Sequence, residues 1–492
     1  MTGDNADRDG DGGTQVGPGL VREHAEVLIL GAGGAGYPAA FRLDGAGRKV
    51  VMVDPVGNLG GECLAEGCVP SKAVREAALA YARRQHGALR DLTRTFEPGG
   101  PASDPSALWQ AVLRHKDHVQ HLRYRQHTEE IAASGVRLIQ GRARILAGDS
   151  VEVLPENGPR TLFTFDDLIL ATGSRPARLP IPGAERALTS HDLFRLGADL
   201  PFPARPIVIG GGYVGLESAS MLEHLGSRPV VVEVTDQILP GFDPALAAFV
   251  ARHLATRTEI ALGVGVTAIE ADGEGVVVRG RRSGDGAEVR FSGDVAILAT
   301  GRESVLPEGA DRLDIDIDRH GRPQVDALLA TRRPGVWAPG DVNGRSMLFH
   351  SAVRQSLVVA HNVLAGGKGA DRMDFASVPV TVFTDPEVAS VGLTVDEART
   401  AGLEVVTATY DDATDARAQI FGEAEGFIHL VFEAHSARLV GAQIAGLDSA
   451  QLIAPLALAL TAGLGARALA ESAFPHPMLS EGINKAARQI LV

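Results

Sequence analysis

The chain has 492 residues, enough for two to four domains, and its 47 Lys and Arg against 61 Asp and Glu leave a net charge of -14. No stretch gathers the basic residues into a nucleic-acid face, and no apolar run reaches the roughly 20 residues of a membrane-spanning helix. Two cysteines in the whole chain argue against a disulfide-stapled secreted scaffold. A cytoplasmic globular protein is expected, with neither nucleic acid nor membrane as partner.

The opening MTGDNADRDGDGGTQVGPG is rich in Asp and Gly and too poor in apolar side chains to order itself, so residues 1–23 read as a flexible tail. Asp7, Asp9, Asp11 and Gly12 imitate the start of a calcium loop, but Pro18 stands where the closing Glu belongs, and calcium is not expected. AEVLILGAGGAGYPAAFRL then reads as strand, glycine turn and helix, and KVVMVD as the next strand. Gly31, Gly33 and Gly36 form G-x-G-x-x-G and Asp54 closes the second strand. Such glycines let backbone amides approach a pyrophosphate, and the acid accepts hydrogen bonds from a ribose.

A few residues later GGECLAEGCVPSK holds both thiols, Cys63 and Cys68, with Lys72 four residues on. Inert core thiols, half of a metal site and a redox pair are the options. Metal is the weakest, since a closed zinc site needs four ligands. On a straight helix the two Cα atoms would stand at least about 7.5 Å apart along the axis, whereas a disulfide needs about 4.4–6.8 Å. If they bond, the helix must break between them, and Gly60, Gly61 and Gly67 allow it. Their place beside a nucleotide unit favours the redox pair, with Lys72 supporting a thiolate or a reduced flavin.

Next comes a long helix over about 106–134 bearing His115, His118 and His121 on one face, read as solvated rather than metal-binding. LILATGSRP (168–176) and AILATGRES (296–304) each run a buried strand into a glycine turn and read as domain seams. Between them RPIVIGGGYVGLESASMLEHLGSRPVVVEV repeats the nucleotide grammar with Gly210, Gly212, Gly215 and Glu233. Two fingerprints imply two dinucleotides, and Glu233 suits the free 2'-hydroxyl of NAD over the phosphate of NADP. TRRPGVWAPGDV places Asp341 at a strand end, and from Met373 the pattern turns to an α+β domain. In FPHPMLSEG, His476 and Glu481 are spaced so that the acid can orient an imidazole that titrates near neutral pH.

Together these motifs resemble the class I pyridine nucleotide-disulfide oxidoreductases, the dihydrolipoyl dehydrogenase branch above all, from about Ala25 to the end. The carriers are GGECLAEGCVPSK, GGGYVGLE, TRRPGVWAPGD, VFTDPEVASVGLT and HPMLSE. The resemblance implies an α/β fold of two Rossmann-like domains, for FAD and NAD, and a C-terminal α+β dimerisation domain. The expected bounds are 24–176 and 303–372 for FAD, 177–302 for NAD and 373–492 for the interface.

It further implies FAD contacts at Gly31, Gly33, Gly36, Asp54, Lys72, Gly141, Thr172, Gly173, Ser174, Asp341, Met347 and His350. NAD would meet Gly210, Gly212, Gly215, Glu233, Val266 and Gly301, with Glu217 pairing Lys72. A homodimer is implied in which His476 and Glu481 serve the opposite subunit's disulfide, with a lipoyl-carrying protein as substrate. A dithiol would attack Cys63, taken as the more exposed sulfur, and leave Cys68 as thiolate beside the flavin.

The chain departs from the family pattern at Glu62, where Thr is common and a carboxylate should disfavour the Cys63 thiolate. It departs again at Phe474 and Met478 around the histidine. Among the rivals, glutathione and mycothiol reductases generally take NADPH, mercuric reductases carry extra C-terminal cysteines, and the soluble transhydrogenases lack the paired thiols. The alternative is an NAD(P)H-dependent reductase of another small or protein disulfide.

Overall fold

The parallel sheet at the front of the chain is built from runs apolar on both faces, which only a sheet covered on both sides can bury. In the computed structural model, which describes residues 20–86 and 104–491, it comprises β1 (Val21–Leu30), β2 (Val50–Asp54), β3 (Arg137–Ala147), β4 (Ser150–Pro155), β5 (Thr161–Leu170) and β16 (Val336–Trp337). β2, β1, β5 and β16 lie parallel, and the antiparallel meander from β3 through β4 returns the chain to β5. Strand β1 starts inside the segment expected to be tail. Val21, Arg22 and Glu23 pair with Thr161, Leu162 and Phe163, and these ladder bonds order residues 21–23 despite their composition. The calcium-like sequence lies outside the described residues.

Helix α1 (Tyr37–Asp44) follows the first glycine turn with a proline in its first turn, and Ala39, Ala40 and Leu43 face the core. After β2 come α2 (Gly61–Ala65) and α3 (Cys68–His86). Helix α4 (Pro105–Ala132) starts on Asp104, whose carboxylate accepts from the Ser106 amide. His115, His118 and His121 on it are exposed, and no group of His, Cys, Asp or Glu among the described residues is arranged to hold a metal ion. The same helix buries Lys116, Gln120 and His127.

A second parallel sheet orders β10 (Glu259–Ala261), β9 (Val230–Val232), β8 (Pro206–Ile209), β14 (Val295–Leu298) and β7 (Leu188–Thr189). Helices α5 (Ser190–Phe194), α6 (Tyr213–His224) and α7 (Pro244–Leu254) accompany it, and β11 (Val264–Asp272), β12 (Gly275–Arg282) and β13 (Glu288–Gly293) make an antiparallel companion. The two expected seams pair with each other, as β6 (Ser174–Pro176) lies antiparallel to β15 (Arg302–Ser304). Helix α8 (Phe349–Leu364) packs on α1.

The C-terminal sheet is antiparallel, ordered β17 (Val380–Val382), β18 (Glu387–Gly392), β21 (Leu439–Gly446), β20 (Phe427–Glu433) and β19 (Val405–Asp411). Leu452, Ile453 and Leu456 of the helix Ser449–Thr461 and Ile483 of the helix Glu481–Arg488 close its core. Among the described residues no helix is long and apolar enough to cross a membrane.

Candidate active site

The two glycine fingerprints adopt matching geometry. Gly31 and Gly210 have φ of +108° and +114°, and a Cβ on either would stand 2.2 Å from Ala171 O or 2.3 Å from Ala299 O. A Cβ on Gly36 or Gly215 would lie 2.0 Å from the carbonyl oxygen of Gly31 or Gly210. The middle glycines differ in kind. Gly212 has nothing within 4 Å of that position, and Gly33 has only Gly61 Cα at 3.7 Å. First and third glycines therefore serve packing, while the middle one leaves a bare face on which a diphosphate fits.

Each terminal acid braces its own loop. Asp54 accepts from the amides of Ala32, Val56 and Gly57, and Glu233 from the amides of Gly211 and Thr235 and the Thr235 hydroxyl. A carboxylate has about four acceptor positions, so each acid keeps capacity for a ribose hydroxyl.

Several other expected contacts meet the first loop. Gly340 lies so close to Ala35 that its Cβ would stand 2.6 Å from Ala35 Cβ, and one on Gly34 would stand 2.9 Å from the Phe349 ring. Those two contacts bring Asp341 and the stretch of Met347 and His350 against it. Asp341 accepts from Ser174 Oγ at 2.6 Å, and Thr172 Oγ1 donates to Val305 O at 2.5 Å. Burial raises the Asp341 carboxyl, against the Ser174 hydrogen bond and the Arg302 charge. His350 is exposed and its ring bonds Pro379 O at 2.7 Å. Gly141 marks the point where β3 leaves β2 for β4. Gly173 and Gly301 have positive φ and open space around them, and Val266 sits at a bulge in β11.

The helix breaks between the cysteines as the spacing requires. Helix α2 ends at Glu66, whose φ of -151° is not helical, and α3 begins with Cys68. Both thiols are free. A hydrogen bond to Cys68, then burial, push the Cys63 thiol up, while the same bond and the Lys72 charge hold Cys68 below its ordinary value despite burial. The Lys72 charge thus favours a thiolate at Cys68 over one at Cys63. Lys72 Nζ meets Glu217 Oε2 at 2.5 Å and lies 4.3 Å from the centre of the Phe383 ring, whose amide donates to Glu217 Oε1 at 3.0 Å.

One expectation is corrected here. Glu62 carries no uncompensated charge. It pairs with Arg302 and with His191 Nε2 (2.7 Å), and these partners overcome burial and keep its carboxyl below its ordinary value.

His476 Nδ1 and Glu481 Oε2 are 2.8 Å apart, and that bond lowers the Glu481 carboxyl. The His476 side chain is 73% exposed. Among the described residues no hydrogen bond or ion pair joins His476 or Glu481 to Cys63 or Cys68 of the same chain. Phe474 packs against the core under the C-terminal sheet, which accounts for an apolar side chain there.

Comparison with known proteins decides the family. Residues 25–356 match the model for the pyridine nucleotide-disulphide oxidoreductases, and residues 378–487 match that family's dimerisation domain. The chain belongs to this family. It is 34% identical to the dihydrolipoyl dehydrogenase of Pseudomonas aeruginosa, over 94% of this chain and 97% of the relative. It is 31% identical to that of Bacillus subtilis, over 94% and 95%. Among solved structures, LpdA from Mycobacterium tuberculosis superimposes with TM-score 0.83 at 25% identity, covering 96% of this chain and 100% of that one. The flavoprotein disulfide reductase RclA from Escherichia coli, at 24% identity and TM-score 0.80 over 94% and 99%, shares the fold.

As a pyridine nucleotide-disulphide oxidoreductase the chain is an NAD-dependent flavoenzyme that uses FAD and NAD(H) and works as a homodimer. The bare middle glycines and the spare acceptor positions of Asp54 and Glu233 fit those nucleotides. Sequence reasoning had passed over His191, Arg302, Gln120 and Phe383, all of which touch the cysteine loop or its lysine partner. The one available signal was the pair Glu62 and Glu66, two like charges one helical turn apart that require a cation.

Proposed function

We propose that the protein is a dihydrolipoyl dehydrogenase, oxidising dihydrolipoyl groups on a carrier protein with NAD through a Cys63–Cys68 disulfide. The observation that carries this reading is the thiol pair joined to both nucleotide loops. Gly61 presses on Gly33 of the first, and Lys72, one turn beyond Cys68, grips Glu217 just after the second. The curated relatives named above carry the same activity in their names.

In the oxidised enzyme a substrate thiolate attacks Cys63. A sulfur–sulfur bond forms to substrate, the Cys63–Cys68 bond breaks, and Cys68 leaves as thiolate. Charge selects this direction: the Lys72 ammonium, one turn beyond Cys68, favours a thiolate there, and the better-stabilised thiolate departs faster. The second substrate thiol gives its proton to His476 of the partner subunit, held by Glu481, and displaces Cys63 to release the oxidised lipoyl group. When bound, FAD supplies two-electron transfer between the dithiol and NAD. Gly31, Gly33, Gly36, Asp54, Lys72, Ser174 and Asp341 are the residues proposed to hold FAD, and Gly210, Gly212, Gly215 and Glu233 those for NAD.

The test is a steady-state assay with dihydrolipoamide, comparing NAD with NADP and wild type with Cys63→Ser. Rapid NAD reduction lost in the variant is the expected result. Negligible wild-type turnover, with flavin still reducible by NADH, would overturn the lipoyl substrate and favour another disulfide.

A further inference from the structure

The segment between the cysteines is held by side chains that the chemistry above leaves unused. His191, on α5, hydrogen-bonds Glu62 Oε1 through Nε2 at 2.7 Å and stands in ion-pair contact with Glu66 Oε2 through Nδ1 at 2.8 Å. A neutral imidazole has one N–H and one acceptor nitrogen. Two carboxylates, one against each ring nitrogen, suit the imidazolium, which carries an N–H on both.

Glu62 is paired on its other oxygen with Arg302 of β15, so two glutamates on the loop face two cations from the NAD side of the chain. The main chain of the loop is held as well. Gln120 of α4 donates to Leu64 O at 3.1 Å and Ala65 O at 2.8 Å. Its amide oxygen accepts from Lys116 Nζ, which also donates to Arg195 O at the end of α5. Lys116 thus links Gln120 to the C-terminal end of the helix that carries His191.

We propose that His191 is a positioning residue for the thiol couple: as an imidazolium it ties Glu62 to Glu66 across Cys63, fixes the loop between the sulfurs and, with Arg302, cancels the carboxylate charge there. The inference rests on reading Cys63 and Cys68 as the redox pair. Burial opposes a charged ring, yet the bonds and charges of Glu62 and Glu66 lift His191 to about 9. The charged groups around it are Glu62 and Glu66 on the loop, Arg302 with Asp341 behind it, Lys116 and Asp117 from α4, and Asp192, which is turned to Thr189. In reduced wild type the thiol pair then ionises without opposition from Glu62.

The test is alkylation of the holoenzyme by iodoacetamide across pH, after reduction by dithiothreitol and desalting, with Cys63 and Cys68 peptides followed by mass. A thiolate sulfur forms the new carbon–sulfur bond and iodide leaves. His191→Asn is expected to move the lower midpoint up by about one pH unit, about tenfold slower alkylation at neutral pH. In a Glu62→Gln, Glu66→Gln background the same change is expected to move it by less than about 0.3 unit. An unchanged profile in His191→Asn, or an equal shift in both backgrounds, would overturn the proposal.

Should His191→Asn fail to fold, Glu66→Gln alone serves, since losing one carboxylate beside a retained cation moves the midpoint down by about 0.5 unit. No movement there overturns it. Dithiothreitol supplies the reduction, so a failure of dihydrolipoamide turnover leaves this result readable.

Discussion

The contrast between the middle and third glycines of the second fingerprint predicts that two alanine substitutions three residues apart fail in opposite ways. A Cβ at Gly215 would stand 2.0 Å from Gly210 O. Close carbon–oxygen contacts settle near about 3.3 Å, so the turn must open by more than about 1 Å against the packed strand end. Overpacking of this kind costs about 1–3 kcal/mol, which at about 1 °C per kcal/mol for a chain of 492 residues lowers Tm by about 1–3 °C.

Gly212 is different. Its φ of -78° suits any residue, and its Cβ would meet nothing within 4 Å. Gly212→Ala is therefore expected to melt at or slightly above the wild-type temperature, because alanine restricts the unfolded chain. Its methyl stands where the diphosphate must approach, and the KM for NADH is expected to rise about tenfold or more. Melting curves of the holoenzyme and NADH-dependent flavin reduction read the two effects separately. A Gly212→Ala protein that melts like Gly215→Ala, or binds NADH like wild type, would refute the division of labour between the glycines.

Asp412 is buried, and that burial with the charges of Asp415 and Asp411 raises its carboxyl to about 7. A raised acid weakens the folded state as pH climbs from its unfolded value near about 4 to its folded one, and the loss levels off above that. Asp412→Asn should therefore gain about 1–3 kcal/mol at pH 8 and nothing near pH 4, as denaturant melts at the two pH values will show. Lys72→Met strands the Glu217 carboxylate, which is 10% exposed, and should cost about 2 kcal/mol. Adding Glu217→Gln should return most of it, and a double variant no better than the single would refute the pairing. Mixed dimers of Cys63→Ser with His476→Gln should regain one working site per heterodimer, while each parent homodimer stays inactive in the dihydrolipoamide assay.

Local pattern carried much of this molecule. Both nucleotide loops announce themselves because glycine spacing, flanking apolar runs and a terminal acid are all short-range features, as is the helix break at Gly67. The ionic network at the redox loop was illegible because its partners are remote, His191 and Arg302 lying 129 and 240 residues from Glu62. For the same reason Glu62 read as a liability until its cations were located. Lys116 shows the converse, a charged residue in a polar helix whose burial is set by carbonyls at the end of another.

The antiparallel ribbon of β6 and β15 has a consequence for any rebuilding of the segment between them. Pro176 and Arg302 stand directly opposite each other, so everything between them leaves and re-enters through one narrow doorway. The covalent link is narrow, and what fixes the segment in place is packing, since Val74, Trp109 and Leu113 outside it share one core with Leu193, Phe194 and Leu216 inside it. Arg302 is the doorpost, and its far end grips Glu62 beside the redox cysteine. Rebuilding this segment would therefore rebuild the surroundings of Cys63 as well, because Arg302 at its end and His191 within it both face Glu62.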